Sequence, residues 1–164
     1  MAMNTLVRDA SGHYRVSGRL SEEEILREAQ RIIERRFQCR HVLPRPDEAK
    51  AFVIAKLALS LNEVFAAIFL DNRHRVMAFE TLFTGTINGC SVHPRVVVQR
   101  TLAINAAAVI FAHVHPSGEP EPSAADITTT RRLVEALNLI DVRVLDHLVV
   151  GGAQVVSLAE RGHL

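Results

Sequence analysis

The stretch that most constrains this chain is the apolar run Ala106–Ala112 (AAAVIFA). It leads directly into His113-Val114-His115 and then into Pro116–Pro122, which holds three prolines and a glycine. The run is far shorter than the roughly 20 apolar residues that span a bilayer. It reads as a buried strand, stopped by a loop that proline forbids from continuing either a strand or a helix. A buried strand needs a sheet beside it and cover above it, and the surrounding sequence offers both.

Glu63–Leu70 (EVFAAIFL) reads as a strand, Asp71–His74 as a turn, and Arg75–Phe83 (RVMAFETLF) as the hairpin partner. Further turns are expected at Thr84-Gly85-Thr86 and Asn88-Gly89. Pro94 suits the first turn of a helix over Arg95–Asn105. Ser123 opens a helix reaching about Leu139, and Val142–Val150 and Gln154–Ser157 close the chain as strands around Gly151-Gly152. Upstream, Ser21 with Glu24 forms a capping box for a helix to about Phe37, with Ile25, Leu26, Ala29, Ile32, Ile33 and Phe37 at helical spacing. Asp47 is expected to cap a second helix to about Leu61. Met1–Gly18 reads as a loose polar segment. The order implies an α/β (α+β) fold, a mixed sheet packed between helices. Residues 1–45 form an arm with one helix, and residues 46–164 form the domain.

Composition narrows the function classes. With 48% hydrophobic and 23% charged residues the chain is globular, and with 5% aromatics and no Trp its core is aliphatic. A net charge of +1 argues against a nucleic-acid binder working by bulk charge, although the arm is Arg-rich. Cys39 and Cys90 are too few for a disulfide scaffold and read as buried thiols in a reducing compartment. With no apolar span and no basic-then-apolar leader, a cytoplasmic, membrane-free protein is expected.

Chemistry concentrates between His113 and Asp126. Alternation along a strand puts the imidazoles of His113 and His115 on one face. Asp126, in the first turn of the following helix, adds a hard oxygen. Two His and one Asp with an open fourth position is the composition of a catalytic zinc site, whereas structural sites close the tetrahedron with a fourth protein ligand. Ser123-x-x-Asp126 is also a helix cap, which would fix Asp126 while the Ser123 hydroxyl faces the metal. A hydrolase of this kind needs a general base. Glu80, in the otherwise apolar and small-residue strand Met77–Phe83, is the leading candidate, since a carboxylate there is costly to bury without a purpose. Glu63 competes but begins its strand and is expected to be exposed, and Glu119 and Glu121 sit in the Pro-rich loop.

Together, Glu80, His113-x-His115 and Ser123-x-x-Asp126 resemble the JAMM motif of JAB/MPN metalloproteases. Phe83-Thr84-Gly85-Thr86, Val92-His93-Pro94-Arg95, His115-Pro116-Ser117-Gly118, Pro120-Glu121-Pro122-Ser123 and Val144-Leu145-Asp146-His147 resemble the RadC branch more closely, from about Leu43 to Gly162. The resemblance implies a JAB-type fold and one Zn2+ held by His113, His115 and Asp126. It further implies Glu80 as acid/base and Ser123 as support for an oxyanion. The activity implied is hydrolysis of an amide in a peptide or protein substrate; the alternative is a DNA-repair or mobile-element factor acting with nucleic acid. Longer RadC proteins carry an N-terminal helix-hairpin-helix region, and the 45 residues ahead of the core here show no such pair of hairpins. His93 is expected to organise a loop or meet substrate, and Asp146-His147 to form a buried hydrogen-bonded pair.

Overall fold

The computed structural model describes residues 5–9, 13–17, 19–38, 46–87 and 89–164. Cys39 and Asn88 lie outside the described residues. The N-terminal segment, expected to be loose, contains a hairpin: β1 (Thr5–Arg8) pairs antiparallel with β2 (Tyr14–Ser17). The first strand, Thr-Leu-Val-Arg, does not alternate apolar with polar residues, so it leaves no period-two signal in the sequence. The Asp9 carboxylate accepts from the His13 N–H at 2.9 Å and helps to close the turn.

Helix α1 (Glu22–Gln38) opens on the expected capping box. The Ser21 hydroxyl accepts from the Glu24 N–H at 3.2 Å, and Glu24 reaches back to the Ser21 N–H at 2.8 Å. It meets the next helix, α2 (Pro46–Leu57), through Gln30, whose Nε2 donates to the Ala55 carbonyl at 3.3 Å. α2 starts at Pro46, so Asp47 lies inside the first turn rather than at the cap. There its charge still faces the positive end of the helix dipole.

The remaining elements are β3 (Val64–Leu70), β4 (Val76–Thr84), α3 (Pro94–Ile104), β5 (Ala108–Val114), α4 (Ala124–Asn138), β6 (Arg143–Gly151) and β7 (Gln154–Ser157). The sheet order is β4-β3-β5-β6-β7. Every neighbouring pair is antiparallel except β5 and β6, which are parallel and joined by the crossover helix α4. β5 is central and buried at every position, as its apolar run requires.

Strand alternation then builds two cores. Ala66, Ile68 and Leu70 of β3 join Ile110 and Ala112 of β5 under Phe52, Val53 and Leu57 of α2. Phe65, Ala67 and Phe69 join Val109 and Phe111 under Val97 of α3 and Leu133 and Leu137 of α4. Each fully buried Leu, Ile or Phe stabilises the fold by about 1.5–3 kcal/mol relative to an exposed one. The sheet is thus packed between helices, as the sequence implies. The C-terminal ends of the parallel pair and the N-terminus of α4 meet at one rim, where loops in α/β folds hold ligands.

Candidate metal centre

His113 projects from the last turn of β5 onto the α3/α4 face and is 5% exposed. His115 lies just past the strand, but its N–H donates to the Val150 carbonyl at 2.8 Å and carries the ladder on. Alternation therefore places both imidazoles on the same face. Their ring centroids are 4.6 Å apart, and their Nε2 atoms face each other at 2.8 Å. Asp126 enters from the first turn of α4, with Oδ1 3.5 Å from His113 Nε2 and Oδ2 3.6 Å from His115 Nε2. One donor atom from each of the three lies within 4.8 Å of the others.

The cap of α4 holds the carboxylate in place. Asp126 Oδ2 accepts from the Ser123 N–H at 2.7 Å and from its hydroxyl at 2.6 Å, while the Ser123 Oγ accepts from the Asp126 N–H at 3.1 Å. This is the reciprocal capping box expected from Ser123-x-x-Asp126.

The donor chemistry fits a divalent cation. His115 Nδ1 lies 2.8 Å from the Glu119 carbonyl, which can only accept, so Nδ1 carries the proton and Nε2 keeps its lone pair. Burial pushes the His113 pKa down to about 4, with Asp126 acting against that fall and His115 adding to it. The His113 ring is therefore neutral near pH 7. Its Nδ1 lies 2.8 Å from His147 Nε2, and His147 Nδ1 lies 2.6 Å from the Thr130 hydroxyl. His147 is fully enclosed; burial, reinforced by the neighbouring His113 and His115 rings, lowers its pKa well below the usual histidine range. Two imidazole nitrogens and one carboxylate oxygen suit zinc and related first-row ions, and three protein donors leave a position for water or substrate.

The pocket around these donors is lined by Glu63, Phe65, Cys90, Val92, His113, Asp126, Thr129 and His147. Glu63 is the carboxylate the sequence reading set aside. It directly precedes β3, and because Val64 pairs with Val114 it falls beside His115. Burial pushes its pKa up; the His115 ring opposes that rise and Asp126 adds to it. Cys90 is half-buried, and burial followed by the Glu63 charge raises its thiol pKa.

Glu80 is not brought into this pocket. It is level with Ala67 of β3, which is level with Phe111 of β5. That places its backbone two strands across and one side-chain repeat back from His113, roughly 10–12 Å away by ideal sheet spacings. Its carboxylate is held by Arg100 of α3, at 2.8 Å from Nε and 2.5 Å from Nη2. That hydrogen-bonded cation lowers the Glu80 pKa against a smaller effect of burial. The cost of placing a carboxylate in this strand is thus met by an ion pair.

The other expected residues fall as follows. Glu121 pairs with Arg161 at 2.5 Å, and Glu119 contributes its carbonyl to His115. His93 is the N-cap residue of α3, and its ring meets Phe83 edge-on at 6.0 Å. Asp146 does not pair with the His147 ring. Its carboxylate accepts from the His147 and Ala159 N–H groups at 2.7 and 3.1 Å and from the Ser157 hydroxyl at 2.7 Å. Close backbone packing fixes the two loops beside the centre. A Cβ on Gly85 would lie 2.0 Å from the Gly89 carbonyl oxygen, and one on Gly151 would lie 2.5 Å from the Pro120 nitrogen.

A mixed sheet between helices, with a His-x-His strand end and a helix-borne Asp, defines an α/β domain of the JAB type. The family model described as the RadC-like JAB domain matches residues 43–163, and the chain belongs to that family. It is 54% identical over 134 residues to the UPF0758 protein of Marinobacter nauticus, covering 82% of this chain and 60% of that one. It is 50% identical over 151 residues to the UPF0758 protein of Vibrio cholerae, covering 92% and 95%. It is also 62% identical over 122 residues to the UPF0758 protein Tgr7_0100 of Thioalkalivibrio sulfidiphilus, covering 74% and 54%. The chain thus spans nearly all of the Vibrio relative but under two thirds of the other two. Among the described residues, no helix is long and apolar enough to cross a membrane.

Proposed function

We propose that this chain is a zinc-dependent hydrolase of amide bonds, acting on a peptide or isopeptide link. The observation that carries the reading is the convergence of two imidazole nitrogens and a carboxylate in one pocket with a further, raised-pKa carboxylate, Glu63. His113, His115 and Asp126 hold the metal. When bound, a zinc ion supplies Lewis acidity, polarising a carbonyl and bringing the pKa of water toward ~7. Glu63 takes the proton from the attacking water on a carboxylate oxygen and returns it to the leaving amine. The acid/base role that the motif resemblance gives to Glu80 passes to Glu63, because Glu63 lines the pocket and Glu80 is engaged by Arg100. Ser123 holds Asp126 through the cap; support of an oxyanion by the same hydroxyl is a second role that substitution at this position separates. Phe65 and Val92 supply apolar wall, which strengthens electrostatic interactions within the pocket.

The test is a screen of zinc-loaded protein against peptide, isopeptide and nucleic-acid substrates, with Glu63→Gln and Glu80→Gln as paired controls. Amide cleavage that survives Glu80→Gln and disappears in Glu63→Gln supports the reading. Nucleic-acid cleavage alone, or amide cleavage indifferent to Glu63, overturns it.

A further inference from the structure

The buried ring His147 has no place among the metal donors, yet its contacts form a closed chain with them. Thr130 Oγ1 lies 2.6 Å from the Asp126 carbonyl, one helical turn back, and 2.6 Å from His147 Nδ1. His147 Nε2 lies 2.8 Å from His113 Nδ1. Five short contacts run from the Asp126 carbonyl through Thr130, His147, His113 and His115 to the Glu119 carbonyl. The hydroxyl and three neutral rings bring four protons to them, so one contact carries none. The bare contact falls between the two Nε2 atoms, where the Asp126 carboxylate converges and a cation would sit, and the other directions follow from that. A carbonyl only accepts, so the single Thr130 hydroxyl proton goes to Asp126. The hydroxyl can then only accept from His147, whose Nδ1 must carry its proton. In a neutral ring the other nitrogen, Nε2, is bare and accepts from His113 Nδ1–H. His113 is left with its lone pair on Nε2, the atom that faces His115 Nε2 and Asp126 Oδ1.

We infer that Thr130 and His147 are positioning residues that fix the His113 tautomer, so that Nε2 is bare before any metal arrives. The relay begins at the backbone of one donor, Asp126, and ends on the ring of another, His113. It thereby ties the N-terminal turn of α4 to the end of β5 through β6. Without it the His113 proton is free to sit on either nitrogen, and each molecule with Nε2 protonated has lost a donor. Outer partners that orient a metal-binding imidazole typically change affinity by about 10–100-fold when removed. This inference rests on the metal-centre reading above.

Two measurements separate them. The first is the tautomer of His113 in metal-free wild-type protein, read from long-range 15N–1H correlations of the imidazole. The second is the zinc affinity of wild type, Thr130→Val and Thr130→Ser, measured by competition with a chromophoric chelator. Val keeps the shape of Thr and removes the hydroxyl; Ser restores it. Expected are a protonated Nδ1 and bare Nε2 in wild type, zinc binding weakened about 10–100-fold in Thr130→Val, and near-complete recovery in Thr130→Ser. A wild-type His113 protonated on Nε2 overturns the inference, as does a Thr130→Val protein that keeps wild-type affinity. A wild type that binds no zinc while His113 carries its proton on Nδ1 overturns the metal-centre reading and leaves the relay supported.

Discussion

Zinc added to chelator-treated protein should raise its melting temperature, and the expected rise follows from the geometry. Three donors already converge to within 4.8 Å, and Asp126 is fixed by two hydrogen bonds from Ser123, so binding needs little rearrangement of the folded chain. A ligand that binds only the folded state, present at 100 times its Kd, stabilises by about 2.7 kcal/mol. In a domain of this length each kcal/mol moves Tm by about 2–4 °C, giving a rise of about 5–11 °C. His115→Ala removes one of three donors. If binding weakens about 100-fold, the same zinc concentration merely equals Kd, and the gain falls to about 0.4 kcal/mol, or 1–2 °C. The assay is calorimetry of each protein with and without zinc, each variant compared with its own metal-free Tm, and reversal by a chelator. A wild-type Tm that zinc leaves in place would refute the assignment of His113, His115 and Asp126, as would an equal rise in the His113→Ala/His115→Ala double variant.

Glu80→Gln should retain zinc and turnover and lose only its partly exposed ion pair with Arg100, about 0.2–1 kcal/mol by denaturant titration; loss of turnover would return Glu80 to the mechanism. Glu63→Gln should retain zinc and lose about 10²–10⁴-fold in kcat on an amide substrate found in the screen. In metal-free protein the raised Glu63 pKa means the folded state holds this proton more readily than the unfolded chain. Stability therefore falls as pH rises from the ordinary value of 4.5 through the raised one. Glu63→Gln should accordingly raise the metal-free Tm at pH 7 but not below pH 4, and thermal melts across that range check the sign. Ser123→Ala should cost about 0.5–2 kcal/mol as a lost cap. Ser123→Asp sets a second carboxylate against Asp126 Oδ2, which now accepts the Ser123 hydroxyl at 2.6 Å, and should lower both the metal-free Tm and turnover, with zinc content measured alongside; normal zinc and near-normal turnover would leave Ser123 as a cap alone.

The candidate metal donors were legible in the sequence because their relation is local. Strand alternation aligns His113 with His115, and a helix cap a short loop later delivers Asp126, so pairing with distant strands was not needed to find them. The sheet between helices was legible for a similar reason, from apolar runs punctuated by Pro, Gly and capping residues. The carboxylate was not. Choosing between Glu63 and Glu80 requires knowing that β3 runs antiparallel to β5, which sets the start of β3 beside the end of β5. It also requires knowing that Arg100, twenty residues beyond Glu80, comes to rest on it. Both facts arise from chain packing. Asp146 and His147 are hydrogen-bonded as adjacency suggests, but through the His147 N–H; neighbours in a strand point to opposite faces, so the ring meets Thr130 and His113 instead. The N-terminal hairpin left no signal because Thr-Leu-Val-Arg of β1 does not alternate apolar with polar residues.

The three donor groups come from one continuous strand–loop–helix unit, while the pocket walls, apart from Thr129 of α4, come from the start of β3, the loop around Cys90 and Val92, and the middle of β6. The two parts are therefore open to change on different terms. Removing one of the three candidate donors is expected to weaken cation binding by the whole set, because each supplies one of three ligand atoms. A wall residue such as Val92 can be exchanged alone, reshaping the opening while the centre stays in place. Exchange at such a position would change what the pocket admits while the three donor groups keep their places.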